Sequence, residues 1–261
     1  MSMHAKLKST WRPSPPLCRD DCPICQGTGW ELVSEPGLSL ARPCSCRTLD
    51  RMIRMKDRVR IPRRYEHCTL DTYVPLNFSQ TRALAEVHRF LARLPAAGRD
   101  LFLAGGSGVG KTHLAVAALR ELMPRLAEDA LFVDFLDIFR PNGLALPGTV
   151  PGGEDWDRLV LCPVLVLDNF GMTTPASVIA AQVTRLIRGR WRLRRPTIYT
   201  GERVQLGLLT SGTVGDACSG TQAFLRALPP GFMFSFLARV KVLSVVGEDY
   251  RKKSSTAPEL F

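Results

Sequence analysis

Apolar side chains recur at helical spacing from Gln80 to Leu94, where Ala83, Val87, Phe90, Leu91 and Leu94 share one side. The pattern then changes. Leu101–Ala104 is a short, uninterrupted apolar run of the kind that forms a strand buried on both faces. Similar runs follow at Leu131–Phe135, Val164–Leu167, Pro196–Thr200 and Val242–Val246. Helical patterns lie between them: an Ala/Leu-rich segment from Thr112 to Pro124, a short stretch at Glu154–Leu161, and Val178–Arg192. Strands alternating with helices predict an α/β domain with a central parallel sheet flanked by helices. Periodicity fails over Pro141–Gly153 and again over 203–222, which fill with small residues and predict loops. Phe224, Phe232, Phe234 and Phe236 form an apolar patch interrupted by Pro and Gly, expected to be core or a contact between protomers.

Upstream, Thr48–Val59 predicts a helix with Met52, Met55 and Val59 opposite Arg51, Arg54 and Arg58, ended by Pro62. The expected organisation is a flexible arm (1–17), a small module with its basic helix (18–60), a linker (61–78), the α/β domain (79–253) and a basic tail (254–261).

Composition adds limits. The 261 residues suffice for one sizeable core and a small appended module. No run approaches the ~18 apolar residues of a membrane span, and no apolar segment precedes Trp11 as a secretory signal requires, so a cytoplasmic protein without a membrane partner is expected. Its eight cysteines are then thiols or metal ligands rather than disulfides. The net charge of +11 favours an anionic partner. The excess is uneven: residues 1–65 hold thirteen Lys/Arg against six Asp/Glu, and six arginines fall between Arg185 and Arg195 without an acid. A solvated basic face would look the same.

The strongest chemical signal lies between the first strand and its helix. Gly105-Gly106-Ser107-Gly108-Val109-Gly110-Lys111-Thr112 is a G-x-x-x-x-G-K-[ST] phosphate loop, followed by His113. Its glycines let backbone N–H groups turn inward around phosphate oxygens. Lys111 should reach the β- and γ-phosphates, and the Thr112 hydroxyl should hold Mg²⁺. Binding of a nucleoside triphosphate such as ATP follows. Asp168 closes the run Val164–Leu167 and is placed to hold Mg²⁺ beside that loop.

A second signal is Cys22-Pro23-Ile24-Cys25 followed by Cys44-Ser45-Cys46, two close pairs separated by a turn-rich stretch. Such pairs suit a tetrahedral Cys₄ zinc site, with Gly27 and Gly29 letting the backbone fold back behind the first pair. A redox C-x-x-C or unrelated thiols are the alternatives, and Cys18 is a substitute ligand with poorer spacing. Cys68, Cys162 and Cys218 stand alone and are expected to be ordinary core or loop thiols.

With these segments placed, the chain resembles the DnaC/DnaI-type replicative helicase loaders of the AAA+ class and their IstB-type relatives that assist transposition. The resemblance rests on Cys22–Trp30 with Arg42–Cys46, on Ile61–Leu70, on Gly108–Ala115 and on Gly247–Arg251. It implies a zinc-bearing N-terminal module that grips the replicative helicase. It also implies an AAA+ domain that binds ATP, Mg²⁺ and single-stranded DNA and assembles as a homo-oligomer. Arg251 would be the arginine that senses the γ-phosphate. Three departures from the family pattern bear on turnover. The acid expected after Asp168 is Asn169; the polar sensor falls at about Glu202; and the arginine acting on a neighbouring subunit falls at Ser235, leaving Arg226 or Arg239 as candidates. Asn cannot accept a proton, so binding of ATP with slow or absent hydrolysis is expected. The rival readings are a transposition-assisting ATPase that coats duplex DNA and a nonhydrolytic ATP-sensing adaptor.

Overall fold

The computed structural model describes residues 22–35, 38–46, 59–94, 99–126, 130–138, 154–172, 177–205 and 220–251. It divides into two units, 1–55 and 56–261. The expected arm, the 48–58 part of the basic helix, the 141–153 loop, Cys18, Cys218 and the tail lie outside the described residues.

In the first unit, strands β1 (Trp30–Glu35) and β2 (Leu38–Pro43) pair antiparallel with Trp30 opposite Pro43 and Glu35 opposite Leu38. The stretch between the cysteine pairs is thus a hairpin rather than a run of turns. No clear alternation marks it, because Trp30, Leu32 and Leu40 are solvent-exposed and, among the described residues of the module, only Cys22, Cys25, Gly29 and Cys44 are buried. Glu31 and Arg42 face each other across the ladder and form two 3.0 Å hydrogen bonds.

The second unit is built on a five-stranded sheet in the order β4-β5-β6-β3-β7, with every pairing parallel. Its strands are β3 (Asp100–Gly105), β4 (Leu131–Asp134), β5 (Leu165–Asp168), β6 (Thr197–Gly201) and β7 (Val240–Val245). Every residue of β3, β5 and β6 is buried, as continuous apolar strands covered on both faces require. Helix α1 (Phe78–Arg93), capped by the Asn77 side chain on Gln80 N, packs on β7 and on α2 (Lys111–Leu122). Helices α3 (Glu154–Leu161) and α4 (Ser177–Arg192) pack together.

The loop expected over 203–222 needs correction at its end, where 220–222 are helical, while the Phe patch is core as expected at three of its four positions. Residues 206–219 lie outside the described residues, but Gly220–Ala227 is helix α5 and Pro230–Arg239 is helix α6. Pro230 sits in the first turn of α6, where a missing N–H costs nothing. Phe224, Phe232 and Phe236 belong to the main core, whereas Phe234 is exposed. Phe170 is the hub of this region, with the rings of Phe102, Phe135, Tyr199, Phe224 and Phe236 all within 6.1 Å of its own.

Arg190 is fully buried, unlike the exposed Arg185, Arg188 and Arg192 on the same helix. Its guanidinium donates to Leu159 O (2.7 Å), Cys162 O (3.0 Å), Pro196 O (2.7 Å) and Thr197 Oγ1 (2.9 Å). Part of the arginine cluster is therefore structural. Cys162 is an ordinary core thiol, bonded to Arg190 and pushed up in pKa by burial.

Candidate functional site

The loop after β3 turns through Gly108 and Gly110, at φ of 70° and 95°, and α2 begins at Lys111. A Cβ on Gly108 would land in the Asp249 carboxylate, and one on Gly110 would lie 2.8 Å from the Tyr73 ring, so both positions need glycine twice over. Gly108 O accepts from Tyr250 N (3.1 Å), and Val109 O accepts from Gln80 Nε2 (3.4 Å). Lys111 Nζ reaches back to Gly106 O (2.5 Å). Burial lowers its pKa, while the charges of Asp168 and Glu202 oppose that shift. The loop therefore presents backbone N–H groups, a helix N-terminus and an ammonium together, a cradle for phosphate.

Arg251 reaches the rim of the same loop. Its Nη2 donates to Ser107 Oγ (2.8 Å), and its Nε and backbone N donate to Asp249 Oδ1 at 2.9 and 3.0 Å. Asp249 thereby positions the guanidinium and raises its pKa further.

Asp168 ends β5 opposite Asp134 at the end of β4. Its Oδ1 accepts from the Thr112 hydroxyl (2.8 Å) and from the Thr200 hydroxyl. A hydroxyl that donates its proton still offers its lone pairs, so Thr112 beside Asp168 can hold a divalent cation. Burial pushes the Asp168 carboxyl up, and the two hydroxyls counter this. Asn169 takes φ of 57°, a left-handed conformation that Asn and Asp tolerate better than most residues. Its Nδ2 donates to Asp134 Oδ2 (2.8 Å). Sequence reasoning missed Asp134 and Thr200. The run Leu131–Asp134 nonetheless ends in an acid just as Val164–Asp168 does.

Glu202 Oε2 accepts from Gly220 N (2.6 Å), the first residue of α5, while its charge still acts on Lys111. Ser235 is exposed on α6 with its hydroxyl on Gly231 O (2.9 Å). Of the two substitute arginines, Arg226 lies in the last turn of α5, and Arg239 stacks over the Trp191 ring at 5.1 Å.

Residues 61–77 lie against the loop. Tyr73 is buried on Gly110, Tyr250 Oη donates to Val74 O (2.5 Å), and His113 Nε2 lies 3.0 Å from Thr69 O. His113 thus turns toward this segment. Cys68, expected to stand alone, is buried there beside His67. Adjacency in sequence concealed the grouping, since His113 is remote in the chain.

In the first unit, Cys22, Cys25, Cys44 and Cys46 place their sulfurs within 4.8 Å of one another. Cys22 and Cys44 are 3.8 Å apart and Cys25 and Cys46 are 3.5 Å apart, too far for disulfides. Ligands at ~2.3 Å around a tetrahedral ion lie about 3.8 Å apart, so this set of four thiols fits zinc. Gln26 N donates to Cys22 O (2.8 Å) and Thr28 N to Cys25 O (2.9 Å); Gly27 and Gly29 have φ of 86° and 75°.

No known protein-family model matches the chain, and no curated protein matches its sequence. Solved structures do. The chain is similar to the DnaC helicase loader, with 28% identity, a TM-score of 0.56, and coverage of 70% of this chain and 99% of that one. It is similar to DnaI at 23% identity and a TM-score of 0.55, covering 73% and 94% of the two chains. It also shares its fold with the replication initiator DnaA bound to AMPPCP and single-stranded DNA, at 15% identity and a TM-score of 0.52, covering 72% and 52%.

Proposed function

The chain is of the DnaC/DnaI loader type in structure, and from that premise we propose that it is an ATP-binding helicase loader acting on a replicative helicase and single-stranded DNA. The likeness to the DnaC loader over nearly all of that chain carries the reading.

Residues 105–113 would cradle the triphosphate of ATP, with Lys111 on its terminal phosphates and Arg251 at the γ-phosphate. Thr112 and Asp168 would hold Mg²⁺, which neutralises phosphate charge when bound. Asn169 would orient a water but cannot take its proton, which favours slow hydrolysis. Asp134 is the carboxylate next to it, tied to the Asn169 amide rather than free to face the nucleotide. The ATP state would then act mainly as a switch, setting relative affinity for two states of the helicase ring.

Cys22, Cys25, Cys44 and Cys46 would hold Zn²⁺ and supply most of the stability of the small N-terminal module. The exposed Ile24, Trp30 and Leu32 on that module suit a protein partner. On α4 the exposed Arg185, Arg188 and Arg192 line a groove of about 490 Å³ together with Trp156, and this stripe suits the phosphates of a single strand.

The test is co-purification of the chain with the host's replicative helicase, with and without ATP, together with binding to single-stranded and duplex DNA. A complex that changes with ATP, and a preference for single strands, is the expected result. Filaments on duplex DNA without a helicase complex would instead identify a transposition-assisting ATPase. Helicase binding without DNA binding would identify an adaptor.

A further inference from the structure

Beside the nucleotide loop, and separate from the four-cysteine cluster, three ligating side chains converge; His113 belongs to the proposed phosphate cradle by its place in the first turn of α2, but its ring turns away toward residues 67–72. His67, Cys68 and His113 each offer a ligand atom, and these atoms all lie within 4.8 Å of one another. Cys68 Sγ is 3.8 Å from His67 Nε2. The two imidazole rings meet nearly edge to face, with centroids 6.1 Å apart.

We propose that His67, Cys68 and His113 form a second metal site, selective for a borderline-soft ion such as Zn²⁺. One thiolate and two imidazoles favour such an ion over Mg²⁺. Three protein ligands leave a fourth position for water or an incoming ligand, the arrangement of an open rather than a closed zinc site. Tetrahedral coordination needs ligand atoms about 3.3–3.8 Å apart. The Cys68–His67 pair already meets this, and His67 is exposed.

The surroundings resemble the outer shell of a metal centre. Thr69 O and Thr72 Oγ1, at 3.0 and 3.3 Å, orient the His113 ring, and Tyr73 packs edge-on against it with centroids 5.3 Å apart. The Thr72 hydroxyl donates to His67 O (3.0 Å), fixing the turn that carries His67 and Cys68. Burial pushes the Cys68 thiol up in pKa, and the charge of the Arg120 guanidinium, anchored on Glu66 O, offsets that shift only in part. Because His113 follows Thr112, a bound ion would clamp residues 67–73 to the first turn of α2, next to the groups that hold the nucleotide.

The test is metal content and zinc affinity of the full chain, by elemental analysis, chelator competition and Co²⁺ substitution. The wild type should hold two equivalents. His67→Ala and Cys68→Ser should each hold one, with zinc affinity at the second site reduced by more than about 100-fold. The Co²⁺ spectrum should lose a one-thiolate charge-transfer band and keep the stronger bands of the four-cysteine site. If the four-cysteine site held no metal, the wild type would instead hold one equivalent that both variants lose, so the two sites are tested separately. Retention of wild-type stoichiometry and affinity in His67→Ala would overturn the proposal. His67 is exposed, so that variant is decisive even if Cys68→Ser, at a buried position, fails to fold.

Discussion

At the amino end of β3, the Asp100 carboxylate accepts on both oxygens: Thr197 N on Oδ1 (2.8 Å), and Trp191 Nε1 (2.8 Å) and Tyr199 Oη (3.3 Å) on Oδ2. At the carboxyl end of β5, Asp168 receives two hydroxyls, and both converge on Oδ1. The two acids are equally buried, at 2% and 1% exposure, and burial pushes both up in pKa. Their settings differ. Asp100 and its neighbour Arg190 are held mainly by backbone groups and an indole, which have fixed geometry, with the hydroxyls of Tyr199 and Thr197 added. Asp168 is held by rotatable hydroxyls beside a phosphate cradle, an arrangement that can reorganise around a cation. One end of the sheet uses its buried polarity for structure, and the other, under the proposed function, keeps it for a ligand, as expected where α/β sheets bind ligands beyond the carboxyl ends of their strands.

The largest expected effect is at the structural end. Arg190→Met removes the guanidinium donor from the carbonyls of Leu159, Cys162 and Pro196, leaving Leu159 O and Pro196 O only longer contacts from Cys162 Sγ and Leu165 N, and should lower unfolding free energy by about 3–5 kcal/mol in a denaturant titration. A variant as stable as wild type would remove the basis for calling that network structural.

A matched pair of substitutions sharpens the contrast. Asp100→Asn must turn an NH₂ group toward a donor on one side, and should cost about 2 kcal/mol while nucleotide affinity stays unchanged. Asp168→Asn keeps its one accepting oxygen for both threonines, so stability should change by less than about 1 kcal/mol. The Mg²⁺ dependence of nucleotide binding should nevertheless disappear. Thermal unfolding and titration with a fluorescent ATP analogue read both quantities. If Asp168→Asn proved the more destabilising of the two, the proposed division between the ends would be wrong.

The smallest effect concerns turnover. Asn169→Asp restores a proton acceptor at a position whose backbone conformation Asp tolerates. Phosphate release in the presence of single-stranded DNA and helicase should rise at least about tenfold. Lys111→Ala serves as the blank. No rise would place the defect at Glu202 or Ser235 instead.

The sequence patterns that proved legible were local ones. The apolar run, glycine turn and Lys-Thr of residues 101–112 are contiguous, as are Val164–Asp168 and the helices flanking them. The two helices over 220–239 are not legible because Gly220 and the Pro229-Pro230-Gly231 run look like breaks, although the core role of Phe224, Phe232 and Phe236 is. A proline in the first turn instead starts a helix, and Phe232 and Phe236 then fall four apart on its buried side. The Asp134–Asn169 bond depends on the parallel register of β4 with β5, and the His67–Cys68–His113 cluster depends on 61–77 folding back on α2. Neither juxtaposition leaves a periodic trace along the chain, and each needs the tertiary fold to appear.

The sheet order also has a consequence for how the protein matures. The loop and its first helix are complete early in synthesis, yet Ser107 meets Arg251 across 144 residues, and Gly105 pairs with Val245 only once β7 has docked beside β3. Closing contacts that distant is slow relative to forming a local turn. A nascent chain emerging from the ribosome therefore carries a phosphate loop without its rim until β7 and Arg251 arrive. The rim of the loop closes only when β7 docks, and a nucleotide bound there as proposed would report that the sheet has been assembled.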